Sequence, residues 1–371
     1  WDRVNFSRPG EPSRQAADDQ HQWGWGRAPY HDLIREECLA AREHVALFDM
    51  TSFGKFEVSG PGALGLLQRV ACNNIDRPDG SLVYTQFLNA HGGIESDLTV
   101  CRLAGDRFRI ITGTSFLSND LQWVRSHAPA DGSVEIRDVT DDFACIGMWG
   151  PGARNVLGQA TGDDLSNDAF PYLTARQLTV AGKPAWAQRV SYIGELGWEL
   201  YLANTDAGAV WDALLELGQA HGIRPAGYKA LDSLRLEKGY VYWSTDVTPE
   251  DNLLEAGMGF CVDMAKGDFI GRNALAKRKA DGLQTRLRTV VLEGNVLPAY
   301  GAESVWHDGK IVSRLRSAGH AHTIDKSIGY CYLTLPLAKP GTEVEIELFG
   351  ERVPAKVTLP IHDPKGERLK V

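Results

Sequence analysis

The chain has 371 residues, 43% of them hydrophobic and 23% charged, enough at about 100 to 200 residues per domain for two or three domains around substantial cores. No apolar run approaches the roughly 18 residues of a membrane-spanning helix. The 39 Lys and Arg against 48 Asp and Glu leave a formal charge of −9, which argues against nucleic acid as the main partner, because a phosphate backbone selects basic surfaces.

Residues 1–29 are rich in Pro, Gly, Gln and Trp, have no period, and read as an extended arm with Trp23 and Trp25 as its anchors. From His31 to His44 the apolar positions Leu33, Ile34, Cys38, Leu39 and Ala41 suit an amphipathic helix, which Leu47-Phe48-Asp49 is expected to end before a strand at 55–58. A helix then starts at Pro61, a residue suited to a first helical turn. The segment Val58-Ser-Gly-Pro-Gly-Ala-Leu-Gly-Leu-Leu recurs in outline as Met148-Trp-Gly-Pro-Gly-Ala-Arg-Asn-Val-Leu. That is a weak internal repeat of strand, turn and helix.

Between the two copies the pattern predicts strands at 82–89, 95–102 and 107–112 and a helix at 115–127. After the second copy it predicts strands near 173–180, 185–192 and 197–202 and helices at 205–220 and 227–238. A basic helix near 271–280 looks solvated. From Arg286 onward short alternating segments separated by Gly, Pro and Asp read as an all-β barrel or sandwich. The fold class is α+β: two related α+β lobes followed by a β-barrel, divided as a 1–29 arm, a 30–285 body and a 286–371 barrel.

The six cysteines are scattered singly, with no CxxC pair, so neither a disulfide framework nor a zinc site is expected. Together with the lack of a signal-peptide pattern this points to a reducing, cytoplasmic setting. The chain lacks an initiator Met and reads as a trimmed chain or part of a longer one. His320 and His322 alternate on a predicted barrel strand, yet no third ligand lies nearby in sequence, so no metal site is expected. No GxGxxG, P-loop, GxSxG or HExxH occurs, so the chain has no FAD, NAD or nucleotide fingerprint of its own.

Three stretches could carry chemistry. In Tyr84-Thr-Gln-Phe-Leu-Asn-Ala-His-Gly-Gly-Ile-Glu-Ser-Asp, a Gly92-Gly93 turn joins two strands, and period-two alternation puts Glu95 and Asp97 on one face. On pattern alone a hairpin with solvent-facing acids is the plainer account. Against it, an acid just past a Gly turn on an apolar strand is how a proton-transferring group is held on a rigid element. In Arg189-Val-Ser-Tyr-Ile-Gly-Glu-Leu-Gly-Trp-Glu, Glu195 sits between Gly194 and Gly197. Small neighbours there let a flat ligand approach, and a carboxylate accepts two parallel hydrogen bonds from an amidine-like edge such as a pterin's. A β-turn with a solvated acid fits the same residues. The third stretch, Gly227 to Tyr240, reads as a core helix with Asp232, Arg235 and Glu237 in local ion pairs.

The order of these landmarks, Leu47-Phe-Asp-Met-Thr-Ser-Phe-Gly-Lys-Phe, Gly60-Pro-Gly-Ala, Leu88-Asn-Ala-His-Gly-Gly-Ile-Glu-Ser-Asp, Tyr192-Ile-Gly-Glu-Leu-Gly-Trp-Glu, Asp232-Ser-Leu-Arg-Leu-Glu and Phe269-Ile-Gly-Arg, resembles the aminomethyltransferase family of the glycine cleavage T-protein. Within it the chain looks most like the C-terminal folate half of dimethylglycine and sarcosine dehydrogenases. The resemblance implies three domains in a ring around a tetrahydrofolate channel. Matched residue by residue, it implies Asp97 as the catalytic aspartate, Glu195 as the pterin-binding glutamate, Tyr84 as a folate-lining tyrosine and Tyr192 as a further contact.

Two departures stand out. Leu231 replaces an Arg that helps hold the folate tail, and Thr51-Ser52-Phe53 replaces Ser-His-Met. Lipoyl-carrier chemistry is therefore less expected than capture of a one-carbon unit, as an iminium or formaldehyde from a methylated amine, to form 5,10-methylenetetrahydrofolate. A flavin-dependent dehydrogenase domain or subunit is the implied partner. The alternatives are a stand-alone tetrahydrofolate-dependent demethylase and a non-catalytic folate-binding protein.

Overall fold

The computed structural model describes residues 3–7, 26–294 and 297–370. The chain lays down α1 (His31–Glu43) and β1 (Val45–Asp49), then β2 (Gly54–Ser59), α2 (Ala63–Val70), β3 (Leu82–Leu88), β4 (Ile94–Ala104), β5 (Arg107–Thr112), α3 (Leu117–His127) and β6 (Glu135–Asp138). The sequence of elements from β2 to β6 then repeats as β7 (Phe143–Trp149), α4 (Ala153–Ala160), β8 (Ala175–Val180), β9 (Lys183–Gln188), β10 (Gly197–Ala203), α5 (Asn204–Gly218) and β11 (Ile223–Ala226). Helices α6 (Tyr228–Lys238) and α7 (Arg272–Asp281) lead to β12 (Thr285–Leu292), β13 (Ser304–His307), β14 (Lys310–Ala321), β15 (Lys326–Thr334), β16 (Glu343–Leu348) and β17 (Glu351–Thr358). The result is a mixed α+β body with a closed six-stranded barrel in the order β12-β15-β14-β13-β16-β17.

The two body sheets share a plan. One runs β3-β4-β5-β2-β6 and the other β8-β9-β10-β7-β1-β11, so the second is the first with β1 inserted beside β7. Each Gly-Pro-Gly-Ala turn feeds a helix for a steric reason. Gly60 and Gly150 hold φ of 106° and 143°, and a Cβ there would lie 2.5 Å from Ser133 O and 2.3 Å from His44 O. Only glycine fits such a position.

Leu47-Phe48-Asp49 does not end the first helix; it lies in β1, parallel to β11 and antiparallel to β7. Val45 and Leu47 enter the core under α4 and α5, while Ala46 and Phe48 enter the core toward α1 and α6. With both faces buried the strand shows no alternation, so its period is unreadable from sequence. The short strands β6 and β11 were likewise unanticipated. The expected strand at 185–192 stops at Gln188, and the backbone bends from Tyr192 onward. Trp23 and Trp25 lie outside the described residues, but the start of the arm is placed. Val4 O and Asn5 O accept from the N–H groups of Tyr228 and Lys229 at 2.8 and 3.1 Å, so the arm caps the otherwise unpaired first turn of α6.

In both sheets one face packs on its own helices. Val83, Phe87, Leu98 and Val100 meet α2 and α3, and Trp198, Leu200 and Leu202 meet α4 and α5. By alternation Tyr84, Gln86 and Asp97 in the first sheet, and Glu199 and Tyr201 in the second, point away from those helices. Helix α6 is buried from Ala230 to Lys238 except at Asp232 and packs against α1 on one side and the barrel strand β14 on the other. All six cysteines are buried free thiols. Among the described residues no helix is long and apolar enough to cross a membrane.

Candidate active site

On β4, Glu95, Asp97 and Thr99 alternate as half-buried residues with fully buried Ile94, Ser96 and Leu98. Glu95 is absorbed by the turn, accepting from Asn89 Nδ2 at 2.9 Å. Asp97 lies directly across from Gln86, whose Nε2 donates to Asp97 Oδ1 at 2.8 Å, and the Tyr84 hydroxyl donates to the same carboxyl. Burial pushes the Asp97 carboxyl up to about 6, against the pull of these two donors and aided by nearby Asp120. The carboxyl is desolvated yet retains some exposed surface, and a value near 6 lets it both take and return a proton near neutrality.

Tyr84 and Tyr192 flank this acid. Burial first, then the Asp97 charge, holds the Tyr84 phenol well above its ordinary value, and burial does the same to Tyr192, which also feels Asp97. Tyr192 is fixed by its hydroxyl on Val241 O at 3.0 Å and by stacking on Tyr240 at 6.2 Å. Three of the four residues singled out from sequence are thus brought together: Tyr84, Asp97 and Tyr192.

Glu195 is not with them. Ser191 Oγ accepts from the Gly194 and Glu195 N–H groups at 3.0 and 3.1 Å, and the turn drives Glu195 inward, to 1% exposure. Its Oε1 lies 3.0 Å from Arg42 Nη1 and 2.7 Å from His362 Nε2, and its Oε2 accepts from Arg368 Nε at 2.8 Å. Arg42 also holds Glu237 at 2.9 Å, so this last member of the expected local ion pairs is engaged at long range, while Arg235 pairs with Asp232 and the buried Asp246, each at 2.7 Å. Both Glu195 oxygens are spent on cations that join α1, α6 and the C-terminal tail, which leaves no edge for a flat ligand. These contacts set Glu195 in an ion network apart from Tyr84 and Asp97.

The carboxylate that sequence reasoning missed is Glu199. It is 7% exposed, and Tyr201 Oη donates to its Oε2 at 2.7 Å. Burial raises it to about 7, opposed by Tyr201 and by Lys55, whose Nζ donates instead to Thr51 O and Phe53 O at 2.8 Å. Across the ladder from Glu199 lies Gln188, fully buried, with neither amide atom partnered among the described residues. An unsatisfied buried amide beside a desolvated carboxylate presents donor and acceptor groups on one face, a set that a heterocycle with an amide and amidine edge can satisfy. The signal was available in Trp198-Glu-Leu: an acid within an apolar strand must have a purpose or a partner. Leu231, at the departure noted above, is buried in the apolar cluster with Tyr192 and Tyr228, and supplies no charge.

The two body sheets thus carry a desolvated acid beside two tyrosines and, separately, a desolvated acid beside an unpartnered amide. The GCVT N-terminal domain profile matches residues 3–266 and that of the glycine cleavage T-protein C-terminal barrel domain matches residues 286–362; the chain belongs to the glycine cleavage T-protein, or aminomethyltransferase, family. It is 33% identical to an aminomethyltransferase of Halothermothrix orenii over 90% of this chain and 92% of that protein. It is 35% identical to human mitochondrial dimethylglycine dehydrogenase over the whole chain, and 38% identical over 94% of the chain to a formaldehyde-forming 4-methylaminobutanoate oxidase of Paenarthrobacter nicotinovorans. Of those two relatives it spans only 43% and 42% of the length. The crystal structure of aminomethyltransferase T from Bartonella henselae shares the fold, with a TM-score of 0.81 at 24% identity over 91% of each chain.

Proposed function

We propose that this chain is a tetrahydrofolate-dependent one-carbon transferase that captures the carbon of an iminium or formaldehyde, released by demethylation of an amine, as 5,10-methylenetetrahydrofolate. The observation that carries the reading is the half-buried Asp97, tuned to about 6 and oriented by Gln86 and Tyr84. The likeness to relatives named for forming formaldehyde and for dehydrogenating dimethylglycine supports the amine as the carbon source. In this reading residues 30–285 form two lobes that, with the barrel, surround a folate channel, and a flavin-dependent domain or subunit delivers the electrophile.

Tetrahydrofolate supplies two nucleophilic amines, N5 and N10. The net change for formaldehyde is one carbonyl converted to two C–N bonds, with both amine protons and the carbonyl oxygen leaving as water. Asp97 takes the proton released as the first C–N bond forms and returns it to the departing oxygen as the second closes, so a value near the working pH serves both halves. Glu199 and Gln188 hold the pterin edge, in place of Glu195, and the tyrosines exclude water from the recess. Their unpaired groups are what make the patch fit a pterin, since filling it removes the cost of a buried unsatisfied amide.

The test is calorimetric titration of the chain with tetrahydrofolate alongside its melting curve. One equivalent of ligand and a raised melting temperature are expected, because binding to the native state alone stabilises it by mass action. A folded protein with no response to tetrahydrofolate overturns the assignment.

A further inference from the structure

His31 opens α1, His320 lies near the end of β14, and His322 follows that strand. Nearly 290 positions separate the first from the others in sequence, which is why no third ligand was visible there. The fold brings one ring nitrogen from each to within 4.8 Å of the other two, with ring centroids 4.6 to 4.9 Å apart. His31 and His322 are only 9% and 5% exposed. No other cluster of three potential ligands occurs among the described residues.

Two further observations point to a ligand. His322 Nδ1 is buried and has no hydrogen-bond partner among the described residues, an arrangement that costs free energy unless something fills it. His320 Nε2 lies 2.9 Å from Asp325 Oδ1, the carboxylate-to-imidazole contact that orients metal-bound histidines and leaves Nδ1 as the nitrogen available to a metal. The backbone under the rings is fixed: Ser233 Oγ donates to His320 O at 2.6 Å, and Glu237 accepts from Thr323 N at 3.0 Å and from Thr323 Oγ1 at 2.6 Å.

We infer that His31, His320 and His322 form a binding site for one divalent transition-metal ion of the zinc type, joining the start of α1 to the barrel. Three points no more than 4.8 Å apart always have a common centre within about 2.8 Å, against zinc–nitrogen bonds of about 2.0 to 2.1 Å, so closing each ring inward by roughly 0.7 Å completes the triangle. Three neutral nitrogens suit zinc, copper or nickel and not calcium or magnesium. Arg27, 3.7 Å from Asp325, and Arg35 add opposing charge, which selects a metal that bonds strongly to nitrogen. Asp97 and Glu199 take no part, so the site stands or falls separately from the folate reading.

The test uses the untagged chain, stripped with a chelator and titrated with zinc chloride. One equivalent is expected to bind with a Kd below about 10 μM and, at a hundredfold excess over Kd, to raise the melting temperature by about 3 °C. His31→Ala and His320→Ala should each weaken binding at least about 100-fold. Cobalt(II) on the unsubstituted chain should give the intense visible bands of a four- or five-coordinate nitrogen site, a readout that survives if the variants fail to fold. Binding weaker than about 10 μM, unchanged binding in either folded variant, or only the pale spectrum of octahedral cobalt would overturn the inference.

Discussion

The two body sheets each set a glutamine against an acid across neighbouring strands, on the face turned from their helices. In the first, Gln86 donates to Asp97; in the second, Gln188 faces Glu199 and donates to nothing among the described residues. The same chemical pair is closed in one lobe and open in the other. A closed pair orients its acid before any ligand arrives, which suits chemistry that needs a fixed direction for a proton. An open pair keeps its hydrogen bonds for an incoming group, which suits recognition. On the proposed function, the repeat would divide labour between a sheet that reacts and a sheet that holds.

The sharpest way to break this division is Asp97→Asn, which keeps shape and loses the basic lone pair. Methylene transfer from an enzyme-generated iminium should slow by about 10² to 10⁴-fold while tetrahydrofolate affinity barely moves. Rates within twofold of the parent would make Asp97 a structural acid. Next in size, Glu195→Ala should destabilise the fold by about 1.5 to 3 kcal/mol in urea unfolding, since Arg42 keeps Glu237 but loses one of its two buried charged partners. An intact fold with weakened folate binding would return Glu195 to the pterin.

Glu199→Gln should cost about 1.5 to 3 kcal/mol of tetrahydrofolate affinity, the range for hydrogen bonds to a charged group. An unchanged Kd by calorimetry would refute the holding role of the second sheet. The smallest effect concerns stability and pH. Asp97 has a folded value near 6, above the ordinary 3.8, so the folded chain binds the proton more tightly than the unfolded one. The stability this brings is full below about pH 4 and lost as pH rises through 6. Asp97→Asn should accordingly stabilise the protein above pH 6 by about 1 to 2 kcal/mol, allowing for solvent screening, and leave it unchanged below pH 4. A gain that does not vary with pH would locate the effect elsewhere.

Much of this was legible because local rules governed it. Alternation on 94–100 put Asp97 on a face of its own, and the Gly-Pro-Gly-Ala copies marked two helices whose entry only glycine permits. The failures were long-range. Val45–Asp49 is buried on both faces and loses its period, Glu195 meets Arg42 from more than 150 positions away, and Glu199 was hidden four residues beyond the acid that the flanking glycines favoured. His31 joins His320 and His322 through a packing of α1 against the barrel end that no spacing encodes.

The inserted strand β1 also bears on how the chain is made. Its partners, 143–149 and 223–226, are synthesised long after it, and at about 5 to 20 residues per second the last of them emerges roughly 10 to 35 s later. During that interval the first sheet can close on its own local hairpins, while β1, preceding it in the chain, stays an unpaired apolar edge of Val, Ala, Leu and Phe. Non-local pairing of this kind slows folding and leaves sticky backbone exposed. The second sheet, though made from later sequence, thus cannot be completed without the chain's early residues, and folding of the two lobes is coupled in time by five residues.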